Sequence, residues 1–221
     1  MHKIGLFGGT FNPIHMAHMK VAREVKQGFG LDGIWLIPAA IPPHKEKENV
    51  AGAQERLEMI RLAIGDDPAL KVSDVELKRT GPSFTIDTLK HFKSILPDET
   101  CLYFILGLDA FLEIDTWKSF RELFDEVPFI AISRPGSGAG EASKWEALES
   151  LLLSKVSRDY EFDESKQAFV HPVKKPIYIF DVTPIEISAT EIRKRVQEGD
   201  AIKSMVPVKV KEYIESKGLY R

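Results

Sequence analysis

Two histidines three residues apart, His15 and His18, close the run Gly8-Gly9-Thr10-Phe11-Asn12-Pro13-Ile14-His15-Met16-Ala17-His18. On a helix that spacing puts both imidazoles on one face, where both can donate to the same phosphoryl oxygen. The glycines let a backbone approach a ligand closely, and Thr10 adds a hydroxyl. The chemistry this suggests is phosphate chemistry. An exposed helix end contributes only about 0.3–1 kcal/mol, and up to ~2 when partly buried, so the helix end alone does not carry catalysis. Donors placed for transition-state charge contribute on the order of 3 kcal/mol each. The plainer alternative is a tight turn that holds a structural histidine.

The elements around the histidines fit the chemical reading. Lys3 to Phe7 is an apolar run that reads as a buried first strand, and Met19 to Val25 reads as a helix. The histidines therefore sit where a strand hands over to a helix, at the carboxyl end of a sheet, where α/β proteins bind ligands and where helix N-termini attract anions. Further strands are expected at Gly33–Ile37, Lys71–Leu77, Leu102–Leu106, Val127–Ile132 and Pro176–Asp181. Helices are expected at Ala53–Ile64, Thr85–Leu96, Ser143–Lys155 and about Pro207–Lys217, the last stopped by Gly218. Three prolines make residues 38–45 a loop, and the Gly, Ser and Ala of residues 136–142 read as a mobile surface loop. Ser188-Ala189-Thr190-Glu191 has the form of a capping box, with Ile192 and Val196 on the buried face of its helix. Alternation of strands and helices implies an α/β fold, a Rossmann-like, doubly wound, mostly parallel sheet flanked by helices. The expected organisation is one domain, with the α/β core to about residue 186 and a small C-terminal helical part from about 187. The glycine-rich strings of dinucleotide-binding and P-loop proteins are absent.

Three more groups of residues carry possible chemistry. Arg193 falls in the second turn of the helix that starts at Ser188, so Ser188, Thr190 and the N–H groups there form a second anion site; the alternative is a capped surface helix. Two helix N-termini in one sheet can clamp a polyphosphate from both sides. His44 and Lys45 end the proline loop and suit a second phosphate group, although the charges that follow also fit a solvated run. Asp109, just after a strand, suits ribose hydroxyls or a helix N-cap. Trp117 suits ring stacking or the core.

The totals bound the reading further. A chain of 221 residues with net charge −3 and mixed charges gives no extended nucleic-acid surface. It should bury roughly 70–75% of its unfolded surface. The single cysteine, Cys101, excludes an internal disulfide framework and fits a reducing compartment, and its place before an apolar run makes it a structural thiol. No apolar stretch approaches the roughly 18 residues of a membrane span, and the N-terminal run leads to no cleavage site. The expectation is a soluble, cytoplasmic protein.

The first turn resembles the G-x-F-x-P-x-H-x-G-H motif of the nucleotidyltransferase superfamily, and Ile187 to Arg193 resembles its I-S-x-T-x-I-R motif. The segments Ile41–Lys45, Gln54–Met59, Ser83–Leu89, Gly107–Trp117 and Ser133–Gly136, with the C-terminal VPVKVKEYIESKGLY, are similar to bacterial nicotinate-nucleotide adenylyltransferases. The resemblance is weakest between about residues 137 and 176. Ala17 stands where that family usually has Gly, Asn12 where Asp is frequent, and Phe84 where Tyr is common.

The resemblance implies transfer of the adenylyl group of ATP to nicotinate mononucleotide, with release of pyrophosphate. It places Gly8, Gly9, Thr10, Phe11, His15 and His18 on ATP, with His18 at the α-phosphoryl group. Ile187, Ser188, Thr190 and Arg193 would hold the β- and γ-phosphates. Gly107 and Asp109 would meet the ATP ribose, and Arg134 the adenosine end. His44, Lys45, Phe84, Thr85 and Trp117 would serve the mononucleotide. Mg²⁺ is expected on ATP oxygens and water rather than on a protein cage. Partners are the two nucleotides, without nucleic acid or membrane. A phosphopantetheine adenylyltransferase, a cytidylyltransferase or a non-catalytic nucleotide-binding module are the alternatives.

Overall fold

Strand β1 (Lys3–Gly9) forms from an apolar run whose Leu6 and Phe7 are buried, and its end delivers the chain to helix α1 (Met16–Phe29). The computed structural model describes residues 2–40, 50–133 and 141–221, with the backbone alone at 141–144. Among the described residues, eight strands hydrogen-bond in the order β3 (Leu70–Val72), β2 (Gly33–Pro38), β1, β4 (Cys101–Gly107), β5 (Phe129–Ser133), β8 (Ile177–Asp181), β7 (Ala168–Val170), β6 (Glu161–Asp163). The pairs β2–β3, β4–β5 and β5–β8 are parallel, whereas β6–β7 and β7–β8 are antiparallel. Two compact units divide the chain, Met1–Leu6 with Phe84–Pro184, and Phe7–Ser83 with Ile185–Arg221.

The unit that contains Phe7–Ser83 and Ile185–Arg221 is built from α1, β2 (Gly33–Pro38), α2 (Ala53–Ile64), β3 (Leu70–Val72), α7 (Ala189–Glu198) and α8 (Val208–Lys217). Apolar residues at helical spacing drive the helices onto the strands. Ala17, Val21, Ala22 and Val25 of α1 and Leu57, Met59 and Ile60 of α2 are buried, as are Ile34, Leu36 and Ile37 of β2. Gly30 ends α1 at φ 58°, where it returns its N–H to Gln27 while Leu31 reaches Lys26. A side chain at that φ would be strained. Register along β2 and β3 pairs Ile34 with Leu70 and Leu36 with Val72.

The other unit holds α3 (Thr85–Ile95), β4 (Cys101–Gly107), α4 (Leu108–Phe111), a 3₁₀ turn (Ile114–Thr116), α5 (Phe120–Glu126), β5 (Phe129–Ser133), α6 (Glu141–Leu151), a π-helical turn (Leu152–Val156), β6 (Glu161–Asp163), β7 (Ala168–Val170) and β8 (Ile177–Asp181). Its core is aromatic. Phe129 meets Phe111 edge to face at 5.4 Å and Phe104 at 6.0 Å, with Phe124 tilted at 5.3 Å. Such pairs add about 0.5–1.5 kcal/mol each beyond the area they bury.

The sequence expectation of a mostly parallel, helix-flanked sheet agrees with this architecture. Two local expectations differ, a third falls mostly outside the described residues, and one hairpin was missed. The strand expected over 71–77 ends at Val72, because Ser73, Asp74 and Glu76 then close turns onto Val75, Lys78 and Arg79. The helix expected at Ser143–Lys155 begins at Glu141, and its last turn widens to a π-helix over Leu152–Val156. Of the loop expected at 136–142, residues 136–140 lie outside the described residues and 141–142 begin α6. The β6–β7 hairpin was not expected at all.

Candidate active site

After β1 the chain turns sharply. Phe11 adopts φ 49° and the Asn12–Pro13 peptide is cis. A Cβ at Gly9 would lie 3.0 Å from the Phe11 ring, so a side chain there would press that ring away from the end of β1 by a few tenths of an ångström. Phe11 is buried against Phe7 and His18, at centroid distances of 5.7 and 5.0 Å.

His15 is the N-cap of α1 and only 3% exposed, while His18, one turn on, is half-buried. Their rings stack at 3.7 Å. The His15 N–H donates to His18 Nδ1 at 3.3 Å, which is half of a capping box with a histidine in place of the usual acid. With Nδ1 accepting, the neutral His18 ring carries its proton on Nε2. His18 is thereby prepared as a donor, and it is the more accessible of the two rings. The Met16 N–H is taken by the Met205 carbonyl at 2.9 Å. The first N–H groups of α1 are thus partly spent within the protein, which leaves the imidazole as the distinctive group of this turn.

The second motif sits in the same unit. Ser188 caps α7, its Oγ accepting from the Glu191 N–H at 3.1 Å, as the sequence implied. The reciprocal half of the expected box is diverted, since the Glu191 carboxylate accepts from Arg195 Nε at 2.8 Å. Ile192 is fully buried and Val196 half-buried. Arg193 Nη1 donates to the Asn12 carbonyl at 2.9 Å, and Nη2 to Thr190 Oγ1 at 3.3 Å. A guanidinium from α7 therefore rests on the turn that carries the histidines. Ser188 and Thr190 are exposed and Ile187 half-buried.

Three residues without an assigned role in the sequence hold this arrangement. Arg56, on the buried face of α2 and 1% exposed, donates Nε–H to Ala51 O at 3.0 Å, Nη1–H to Thr10 O at 2.8 Å and Nη2–H to Ala40 O at 3.2 Å. Burial pushes its guanidinium below the ordinary value, while the neighbouring Tyr220 and Glu55 oppose that shift. Asn12 is 4% exposed, and its Oδ1 accepts from the Ala51 N–H at 2.9 Å and the Tyr220 hydroxyl at 2.8 Å. Nothing in residue spacing marks Arg56, because arginine on a helix usually lies outside. Replacing Arg56 by Met should destabilise the protein by about 3 kcal/mol, since each carbonyl left unsatisfied costs about 1–3 kcal/mol and some regain water. Urea unfolding would measure this, and a loss under about 1 kcal/mol would show that the three bonds are dispensable.

In the other unit, β4 ends at Gly107, which caps the short helix α4, and Asp109 is exposed in its first turn. A Cβ at Gly107 would meet nothing within 4 Å, so the fold itself makes no demand for glycine there. Helix α3 begins at Thr85 behind Phe84, a residue with no polar atom to cap it, and the Phe84 carbonyl accepts from the Asp87 and Thr88 N–H groups. Lys118, which sequence reading also passed over, places Nζ 4.6 Å from the centre of the Phe84 ring and 3.1 Å from Asp87 Oδ2. Trp117 is half-buried, edge-on to Phe104 at 6.4 Å. His44, Lys45 and Arg134 lie outside the described residues. Among the described residues, no group of three or more His, Cys, Asp or Glu side chains could hold a metal, and no helix is long and apolar enough to cross a membrane.

The cytidylyltransferase-like family model matches residues 6–195, a span that includes both motifs. A probable nicotinate-nucleotide adenylyltransferase of Desulfatibacillum aliphaticivorans is 40% identical over 220 residues, 99% of each chain. The chain belongs to the nicotinate-nucleotide adenylyltransferase family. A second member, from Geotalea uraniireducens (strain Rf4), is 36% identical over 218 residues, 99% of this chain and 98% of its own. Among solved structures, Plasmodium falciparum nicotinic acid mononucleotide adenylyltransferase complexed with NaAD matches with a TM-score of 0.73 at 22% identity, covering 100% of this chain and 98% of that one. The same enzyme complexed with APC gives 0.71, also at 22% identity and with the same coverage. At that identity the likeness is one of fold. In this adenylyltransferase-family chain, the Arg193–Asn12 bond joins the two motifs.

Proposed function

We propose that the protein transfers the adenylyl group of ATP to nicotinate mononucleotide, giving nicotinate adenine dinucleotide and pyrophosphate. The observation that carries this reading is the bond from Arg193 to the Asn12 carbonyl, which sets a guanidinium beside the His15–His18 turn. A 5′-phosphate oxygen of the mononucleotide attacks the α-phosphorus of ATP. The new O–P bond forms as the bond to the β-phosphate oxygen breaks, and pyrophosphate leaves with that electron pair. The nucleophile is already an anion, so no strong base is needed. What the protein must supply is alignment and relief of charge on the moving phosphoryl group.

His18 Nε2–H suits the α-phosphoryl oxygen, and His15 holds the His18 ring in its stack. Arg193, with Ile187, Ser188 and Thr190, suits the β- and γ-phosphates; Thr190 Oγ1 already accepts from Arg193, so its own proton is available to an acceptor. Gly8, Gly9, Thr10 and Phe11 offer the backbone beside the nucleotide, and His44 and Lys45 are assigned to the reacting phosphates. Mg²⁺ would ride on phosphate oxygens and water, where it offsets the charge that gathers on the leaving pyrophosphate. Gly107 and Asp109 suit the ATP ribose, and Arg134 the adenosine end.

Choice of the acid over the amide is assigned to the start of α3. The N–H groups at a helix start lack helical partners; at α3 that of Asp87 turns to the Phe84 carbonyl and Phe84 brings no side-chain acceptor, so those of Thr85 and Ile86 suit a carboxylate. A hydrogen bond to a charged group contributes about 1.5–3 kcal/mol, and about 1.4 kcal/mol is tenfold. Nicotinate mononucleotide should therefore be used roughly ten- to a thousandfold better than nicotinamide mononucleotide. Pyrophosphate release with each, side by side, tests this; equal rates would remove the acid preference, and release with neither would remove the reaction. Trp117 is assigned to stacking on the pyridine ring. Trp117→Ala should raise the Kd of the mononucleotide by about tenfold or more while that of ATP changes little. Equal weakening of both would make the indole a core residue.

A further inference from the structure

We infer that Tyr220 is a positioning residue for adenylyl transfer, holding from the C-terminus the Asn12 joint on which Arg193 rests. This rests on the reading that Arg193 binds the polyphosphate. Helix α8 stops at Gly218 (φ 61°), whose N–H, with that of Leu219, turns back to Glu215 and Ile214. Two residues later Tyr220 again takes a left-handed backbone, φ 65°. A non-glycine residue keeps that conformation only where its surroundings hold it. Here the chain folds back and the tyrosine is half-buried, its O–H donating to Asn12 Oδ1 at 2.8 Å.

Asn12 is gripped on both of its oxygens. The side-chain oxygen takes two donors, Tyr220 O–H and the Ala51 N–H at 2.9 Å. The main-chain oxygen takes Arg193 Nη1 at 2.9 Å. Two residues earlier in the turn, the Thr10 carbonyl takes Arg56 Nη1 at 2.8 Å. Loss of the Tyr220 hydroxyl would loosen a residue that holds both the Arg193 fork and the turn ahead of His15. Burial raises the phenol above its ordinary range although Arg193 and Arg56 pull it down, so the group stays protonated and remains a donor. The same geometry explains why Asn serves at position 12 where the family often has Asp. The oxygen facing Tyr220 and Ala51 needs only to accept, which a carboxylate does as well.

Tyr220→Phe removes the hydroxyl and leaves the ring. Calorimetry with Mg-ATP and, separately, with nicotinate mononucleotide, run well below Tm alongside wild type, separates positioning from bulk stability. The expected result is a Kd for ATP raised about fivefold to tenfold, a Kd for the mononucleotide within about twofold, and a lower kcat. A wild-type Kd for ATP in Tyr220→Phe, even with a lowered Tm, would make the tyrosine merely structural and overturn the inference. So would equal weakening of both nucleotides. Wild type that binds neither nucleotide and releases no pyrophosphate would instead remove the functional reading, and this inference with it.

Discussion

His18→Ala is expected to lower kcat by about 100-fold or more while the protein stays folded. The ring is half-buried, and its loss removes one stacking partner of His15 and the acceptor for the His15 N–H. Those losses affect the start of one helix. The larger loss is the Nε2–H donor proposed for the α-phosphoryl oxygen, which gains charge only as the transition state forms. An interaction made only there lowers kcat and kcat/KM together and leaves KM nearly unchanged. Steady-state pyrophosphate release gives the kinetic values, and thermal unfolding shows whether the fold has survived. A kcat within about threefold of wild type would remove His18 from the chemistry. His15→Ala should be less informative, because a 3% exposed N-cap acts on both the helix and the neighbouring ring.

Arg193→Ala is expected to lower kcat/KM for ATP by a similar factor, about 100-fold. The guanidinium has a fixed fork, and two of its donor nitrogens are already placed, one on the Asn12 carbonyl and one on Thr190 Oγ1. Lysine cannot reproduce that geometry, since its ammonium is a point charge on a flexible stem. Arg193→Lys should therefore recover no more than about tenfold of the loss. Full recovery by lysine would mean that charge alone is needed and that the fork on Asn12 is incidental.

Sequence patterns carried the fold where periodicity was long. Helix α2 lies at Ala53–Ile64 as its apolar spacing implied, and α8 ends before Gly218. Short elements were not legible. Strands β6 and β7 have three residues each, too few for an alternation to show. Their turn is held by Asp163, whose Oδ1 accepts from the Ser165 and Lys166 N–H groups and whose Oδ2 takes Lys166 Nζ. The Lys166 ammonium first, then the Ser165 hydroxyl and the Lys166 N–H, pull the Asp163 carboxyl down to about 2. The end of β3 was misread because Val75 and Glu76, which continue the alternating pattern, are buried in turns rather than in a strand.

The site divides along the same line. Residues that belong to a motif, His15, His18, Ser188, Thr190 and Arg193, could be named from type and order. Residues that hold the motif in place could not. Arg56 is an arginine among apolar helix positions, Tyr220 is a tyrosine at a chain end, and the Asn12 side chain faces inward to Ala51 and Tyr220. Their partners are mostly backbone carbonyls and N–H groups, which leave no trace in side-chain spacing. The partner relation appears only once the chain is folded.

The central claim is that groups from both ends of the chain hold one triphosphate, with Arg193 on its β- and γ-phosphates. The Kd values of ATP and AMP for wild type and Arg193→Ala test it most directly. Wild type should bind ATP well over tenfold more tightly than AMP, and the variant should lose about tenfold or more of that difference while its affinity for AMP stays the same. A difference between ATP and AMP that survives the substitution intact would contradict the account.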